Sequence, residues 1–150
     1  RDILRVLLGR PCPLPQRSEA CELAGVIIRQ GLAAARTRSR QMRECTQGVY
    51  DWDEGEMNTL GIHLWQKRSL GAEALWVLER NAETCPDSFN VWDSLGWLHD
   101  QWQDTPQALD MYRKAIRVYR EHPEENRRWE RALAQAEAWV KAHEGRRAEP

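Results

Sequence analysis

Residues 58–61 read Asn-Thr-Leu-Gly and residues 93–96 read Asp-Ser-Leu-Gly, so Leu95 follows Leu60 after 95 − 60 = 35 residues. A repeat of about this length is typical of stacked helical hairpins. One hairpin cannot bury its own apolar face, so neighbouring hairpins stack into a solenoid whose surface is available for binding. The repeat therefore predicts an all-α, helical-hairpin solenoid, and it favours an interaction role over catalysis.

Apolar residues recur with helical periodicity on both sides of the repeat, and breaks at Gly31, Pro86 and Pro123 separate the predicted helices. The final helix is predicted to start at Pro123 and to cap the solenoid over residues 124–143. Side chains that accept hydrogen bonds precede several of the helices. The predicted caps are Ser18, Asp53 in a capping box with Glu56, Asp87 with Ser88, and Thr105 before Pro106.

The chain divides by composition into three parts. Residues 1–17 combine a short apolar helix with the proline-rich linker 11–15, residues 18–143 form the helical domain, and residues 144–150 form a polar tail. The linker is predicted to be extended because three prolines in five residues exclude a helix.

Composition gives little sign of a nucleic-acid or membrane partner. The net charge is −1 and 30% of the residues are charged. Residues 1–44 are basic, with nine Lys/Arg against four Asp/Glu. No apolar run approaches the roughly 20 residues that span a bilayer. The chain begins at Arg1, so an upstream signal remains compatible with the sequence, and the compartment (cytoplasmic or periplasmic) is open.

No metal or cofactor site is predicted. The four cysteines have no zinc-binding spacing, and no two histidines lie three or four residues apart. Phosphate-binding glycine loops and His-Glu-x-x-His are also absent. We therefore expect no cofactor.

The second repeat has a large residue, Leu-Gly, and an Ala-aromatic-Ala series, at Trp92, Leu95, Gly96, Ala108, Tyr112 and Ala115. The first repeat has the corresponding Leu60, Gly61, Ala74, Leu78 and Pro86, with Asn81 in place of the last small residue. These residues resemble tetratricopeptide repeats. The resemblance implies helix pairs that approach closely at the small residues.

A narrower resemblance rests on Gly31, Asn81 and three strings. The strings are Glu-Met-Asn-Thr-Leu-Gly at 56–61, Pro-Asp-Ser-Phe-Asn at 86–90 and Trp-Asp-Ser-Leu-Gly at 92–96. Together they resemble the C-terminal helical tail of bacterial beta-lactamase-related serine hydrolases. The resemblance implies that the chain is an appendage of such a hydrolase, and that the catalytic domain lies outside it.

The sequence predicts that the chain itself is not an enzyme. No Ser is followed three residues later by Lys, and no Gly-x-Ser-x-Gly occurs. Ser94 lies beside Asp93 and near His99, but Ser94 and His99 are five residues apart and fall on different faces of a helix. The resemblance to tetratricopeptide repeats implies that Asp-Ser-Leu-Gly serves packing and capping.

The family pattern places the binding surface on the inner helix of each repeat, which lines the concave groove. The predicted groove residues are Asn58, Ile62, Trp65, Gln66, Asn90, Asp93, Trp97, Asp100 and Gln101. The Lys, Arg and Asn of the family's peptide-carboxylate clamp are missing, since the corresponding positions hold Asn58, Ile62, Asp93 and Trp97. Trp65 and Trp97 either line an aromatic groove or pack between helices.

The predicted function is that of a non-catalytic protein-interaction or scaffold module, a C-terminal appendage of a serine hydrolase. The expected partner is a protein or peptide segment, including an adjacent domain of the same polypeptide. One alternative is an independent peptide-binding adaptor. Another is a nucleic-acid-associated module that uses the Arg-rich helix 32–44, where Arg36, Arg40 and Arg43 share one face. No membrane partner is expected, and a nucleic-acid partner is disfavoured.

Overall fold

The computed structural model describes residues 18–45, 50 and 52–144, and in these ranges it consists of helices joined by short connections, with no β-strand. The predicted all-α class is therefore confirmed. The chain divides into unit 1 (Arg1–Val77) and unit 2 (Leu78–Pro150). The predicted N-terminal helix and linker, 1–17, and the tail from residue 145 lie outside the described residues.

Unit 1 begins with α1 (Glu19–Cys45), which Gly31 divides into two arms. Gly31 has φ 80° and ψ −179°, a conformation open essentially only to glycine, so the predicted break is confirmed. The arms run antiparallel: Arg38 donates to Glu22 over 2.9 Å and Ser39 donates to Glu19 over 3.2 Å. A single glycine therefore makes the turn of a helical hairpin.

The second helix of unit 1, α2 (Glu54–Arg68), starts at the predicted cap, since Asp53 Oδ1 accepts the Glu56 N–H at 2.8 Å. The other half of the predicted capping box is wrong. The Glu56 carboxylate accepts a hydrogen bond from Ser18 Oγ, and Ser18 Oγ also accepts the Cys21 N–H at 3.2 Å. Glu56 thus links the starts of α1 and α2. The next helix, α3 (Gly71–Thr84), begins in unit 1 and ends in unit 2.

Unit 2 continues with α4 (Phe89–Gln101), α5 (Thr105–Glu121), the short α6 (Pro123–Asn126), a 3-10 turn at Arg127–Trp129, and α7 (Glu130–Glu144). The helix predicted to run from Pro123 through 143 is therefore interrupted. The core of this unit is built by Phe89, Ala108, Leu109, Tyr112, Ala115, Ile116, Ala136 and Val140.

Two predicted caps in unit 2 are corrected. Asp104, one residue before Thr105, caps α5 by accepting the Gln107 N–H at 3.4 Å. Ser88 is the first flanking residue of α4, but its side chain makes no capping bond. The cap comes instead from Asn126, whose Oδ1 accepts the Phe89 N–H at 2.7 Å.

Asn126 also explains where the last predicted helix is interrupted. Its Nδ2 donates to the carbonyls of Asp87 and His122 at 3.0 and 2.9 Å, and its side chain is buried. At this residue φ is −99° and ψ is 0°, outside the helical minimum. The backbone leaves the α conformation at the residue whose side chain is held by the start of α4.

Candidate protein-interaction surface

The predicted groove residues fall in both units, and the set in unit 1 lies on α2. Asn58 is buried, Ile62 and Trp65 are half-buried, and Gln66 is exposed. His63, beside this set, is also half-buried, and burial lowers the pKa of its imidazole, with the charge of Lys67 as a smaller cause. The indole of Trp65 therefore offers part of its surface to solvent while α2 keeps the amide of Asn58 inside.

The set in unit 2 lies on α4, where positions three and four residues apart share one side of the helix. Asn90 is buried, Asp93, Trp97 and Asp100 are half-buried, and Gln101 is exposed. We call Asp93, Trp97 and Asp100 the α4 face. It presents an indole between two carboxylates spaced over two helical turns.

The carboxylate of Asp93 is the most perturbed acid on this surface. Burial raises the pKa of its side chain from the usual 3.8 to about 6. No residue in the described part of the chain forms a hydrogen bond or an ion pair with it. Burial also raises the pKa of Tyr112, and the charges of Asp93 and Asp100 raise it further. The α4 face is therefore an acidic surface that is partly withdrawn from water.

A close helix contact fixes the position of the α4 face. A Cβ atom added at Gly96 would lie 2.8–2.9 Å from the ring of Tyr112 on α5, so α4 and α5 approach each other at the glycine. The Tyr112 ring packs against Trp139 of α7 with centroids 4.7 Å apart, and Trp139 stacks on His143 at 3.9 Å. Contacts among α4, α5 and α7 thus fix the position of the α4 face within unit 2.

The Arg-rich helix predicted at 32–44 forms the second arm of α1. Arg38 is half-buried and donates to Glu22 and to the hydroxyl of Tyr50, at 2.9 and 3.0 Å. Arg36, Arg40 and Arg43 are exposed, and no described residue forms an ion pair with them. Arg36, Arg40 and Arg43 thus form a solvent-exposed basic surface. Arg38 instead joins the two arms of α1 through its bond to Glu22.

A second surface was missed by the sequence reasoning. It is a groove of about 770 Å³ between α5 and α7, which we call the α5–α7 groove. In the sequence, charged residues recur at spacings of three and four on both helices. This pattern does not show that the two helices pair with each other. The lining residues are Arg113, Ile116, Arg117, Arg120, Glu121, Glu137, Val140, Lys141 and Glu144.

The three residues considered for a catalytic triad, Asp93, Ser94 and His99, all lie on α4. Ser94 is buried in α4. No group of three or more His, Cys, Asp or Glu side chains within 18–45, 50 and 52–144 is placed to hold a metal ion. None of the helices in these ranges has the length and apolar character needed to cross a bilayer.

No protein-family model, curated protein or solved structure matches the chain.

Proposed function

We propose that this chain is a non-catalytic protein-interaction module and that the α4 face contacts its partner. The observation that carries the proposal is Asp93, a half-buried carboxylate that is partly withdrawn from water and has no hydrogen-bond or ion-pair partner among the described residues. Keeping such a charge away from water costs free energy unless a donor or a cation faces it. A partner that places a hydrogen-bond donor or a cation against Asp93 would remove this cost and would therefore bind more tightly.

The neighbouring side chains fit the same reading. Trp97 lies one turn after Asp93 and is half-buried, so it offers a rigid apolar surface that loses little entropy on binding. Asp100 adds a second carboxylate on the following turn. The face suits a partner segment in which Lys or Arg residues flank an apolar side chain.

From the sequence resemblance we infer that this partner segment belongs to an adjacent domain of the same polypeptide, a serine hydrolase that carries the chain as its C-terminal appendage. An independent peptide-binding adaptor is the alternative. The reading frame that precedes the codon for Arg1 distinguishes the two. A Ser-x-x-Lys-bearing domain there supports the appendage, and a frame without any hydrolase domain supports the adaptor.

The proposal is tested by selecting random displayed peptides on the full chain and measuring their affinities for variants. We expect the selected peptides to be rich in Lys and Arg. Trp97→Ala and Asp93→Asn should each weaken their binding by about tenfold or more, because central anchors of an interface have effects of this size. Gln135→Ala, an exposed change on α7, is the matched control.

Circular dichroism of each variant checks that the helices are retained. Peptides that bind all four proteins equally would place the interaction elsewhere and contradict the role of the α4 face. Failure to enrich any peptide would contradict the peptide-binding reading of this surface.

A nucleic-acid role for the Arg-rich arm is kept as a second candidate because Arg36, Arg40 and Arg43 are exposed and without ion pairs among the described residues. Its test is the anisotropy of a labelled DNA duplex at two salt concentrations. A true phosphate-binding stripe should give affinity that falls steeply with salt and that is lost when the three arginines are changed to Gln. Salt-independent or absent binding excludes it.

A further inference from the structure

The α5–α7 groove is formed by two charged stripes that run antiparallel. Arg113 of α5 pairs with Glu144 of α7 at 2.8 Å, and Arg120 pairs with Glu137 at 2.8 Å. These two ion pairs fix the register of the helices, because Arg113 and Arg120 are seven residues apart and so are Glu137 and Glu144. The positions between the two pairs therefore line the groove between the two helices.

Both positions between the pairs are cationic. Arg117 lies four residues after Arg113, and Lys141 lies three residues before Glu144, so both lie between the two ion pairs and form a middle rung that is offset by one residue from direct register. Both are exposed and line the groove. In the described part of the chain, neither forms an ion pair or a hydrogen bond. Two like charges between two ion pairs lower the stability of the folded chain. Such a loss is expected at a site that binds an opposite charge, because the bound anion relieves the repulsion.

The surrounding charges leave this rung positive. The nearest carboxylates on α7, Glu137 and Glu144, are already engaged with arginines of α5. On α5, Arg117 is flanked by two arginines and by Lys114, which lies over the ring of Trp92 at 3.4 Å. Glu121 is one turn away on the same helix, lines the groove, and forms no ion pair with described residues.

The groove takes one negative charge better than two. Four cations and three carboxylates line it, so the excess is a single positive charge. A doubly charged phosphate would be repelled by the three carboxylates, whereas one carboxylate balances the excess. The floor contains the buried apolar side chains of Ile116 and Val140, which suit an aliphatic neighbour of the bound acid.

We propose that the α5–α7 groove binds an acidic segment of a protein partner, with a Glu or Asp carboxylate seated between Arg117 and Lys141 and an adjacent aliphatic side chain on Ile116 and Val140. The guanidinium of Arg117 offers two parallel donors to a carboxylate, and Lys141 adds a point charge. This second surface is separate from the α4 face and does not depend on the proposed function.

The binding test uses the isotope-labelled full chain and the capped peptide acetyl-Ala-Leu-Glu-Leu-Ala-amide, followed by amide chemical shifts at fixed ionic strength. We expect saturable shifts confined to α5 and α7. The peptide with Gln in place of Glu should bind at least tenfold more weakly, as should the double variant Arg117→Gln, Lys141→Gln. Arg131→Gln, an exposed arginine of α7 outside the groove, is the matched control and should leave the affinity unchanged.

A reversal of charge tests the register independently of any ligand. Lys141→Glu would place a carboxylate near Arg117 but also beside Glu137 and Glu144 on its own helix, so its melting temperature is measured with Arg117 present and with Arg117→Gln. We expect Lys141→Glu to be more favourable by about 1–3 °C when Arg117 is present, and peptide binding to be lost. An equal effect of Lys141→Glu on the melting temperature in both backgrounds would show that the two residues do not face each other. Absent shifts, or shifts that Arg117→Gln leaves intact, would refute the site. Tighter binding of inorganic phosphate than of the peptide would refute its assignment to a protein carboxylate.

Discussion

Changing Asn126 to Ala removes the side chain that joins the start of α4 to the turn after α5. Asn126 is 2% exposed, and its amide makes three hydrogen bonds, to Phe89 N–H at 2.7 Å and to the carbonyls of Asp87 and His122 at 3.0 and 2.9 Å. Phe89 is fully buried, so its N–H would lose its partner in a place that water does not readily reach.

The magnitude follows from those bonds. An unsatisfied buried donor costs about 1–3 kcal/mol, and the Asp87 carbonyl loses about 1 kcal/mol more. The His122 carbonyl loses less, since the backbone N–H of Asn126 also donates to it at 3.2 Å. We therefore expect Asn126→Ala to lower the free energy of unfolding by about 2–4 kcal/mol. Urea unfolding of the full chain, followed by circular dichroism, measures this loss.

Two further variants make the result decisive. Asn126→Asp keeps the acceptor for Phe89 but sets a carboxylate against two carbonyl oxygens. Its deficit relative to the wild type should therefore shrink at acid pH, where a protonated Asp regains a donor. Gln135→Ala, an exposed polar change, should have almost no effect. If Asn126→Ala unfolds within about 0.5 kcal/mol of Gln135→Ala, the side chain is not the cap of α4 and the reasoning fails.

Three further outcomes are expected from the full chain. Gly96→Ala should lower stability by about 1–3 kcal/mol, because its new Cβ would overlap the ring of Tyr112. Gly25→Ala is the control, since its Cβ meets only the flexible end of an arginine; equal melting temperatures for the two variants would contradict the close contact. Gly31→Ala should cost about 1–3 kcal/mol from backbone strain alone, as no atom lies within 4 Å of the added Cβ; an unchanged urea midpoint would show that the hairpin turn differs. Asp93→Asn should stabilise the chain by up to about 3 kcal/mol at neutral pH, because the pKa raised from 3.8 to about 6 means that the folded state favours the protonated acid. This gain in the free energy of unfolding should be full above about pH 6, decrease between about pH 6 and pH 4, and vanish below about pH 4. A gain that persists at pH 3 would contradict the raised pKa of Asp93.

Several features were determined by the sequence alone because they depend on neighbours in the chain. Helical periodicity and its breaks predicted the all-α class. The turn at Gly31 was predictable because only glycine readily adopts its backbone conformation. The tetratricopeptide resemblance implied that helix pairs approach closely at small residues, and Gly96 lies at such a contact, against Tyr112 of the next helix.

Other features were decided only by tertiary packing. The cap of α4 comes from Asn126, 37 residues after Phe89, while the adjacent Ser88 leaves its hydroxyl unused. Glu56 bonds to Ser18 rather than to its own cap. In both cases a local sequence motif predicted one hydrogen-bond partner, and tertiary packing placed a different one there. Local helix propensity depends only on neighbours in the chain, so it cannot identify a distant partner.

The same distinction between sequence and tertiary packing applies to the two candidate surfaces. The sequence placed Asp93 and Trp97 on one side of a helix, but the burial that raises the pKa of Asp93 depends on what packs around α4. The charged residues of α5 and α7 are each visible in the sequence, yet Arg117 and Lys141 line one groove only because the two helices pair in one particular register. A helix sequence fixes which residues share a face, and only the packed structure fixes which face of another helix they meet.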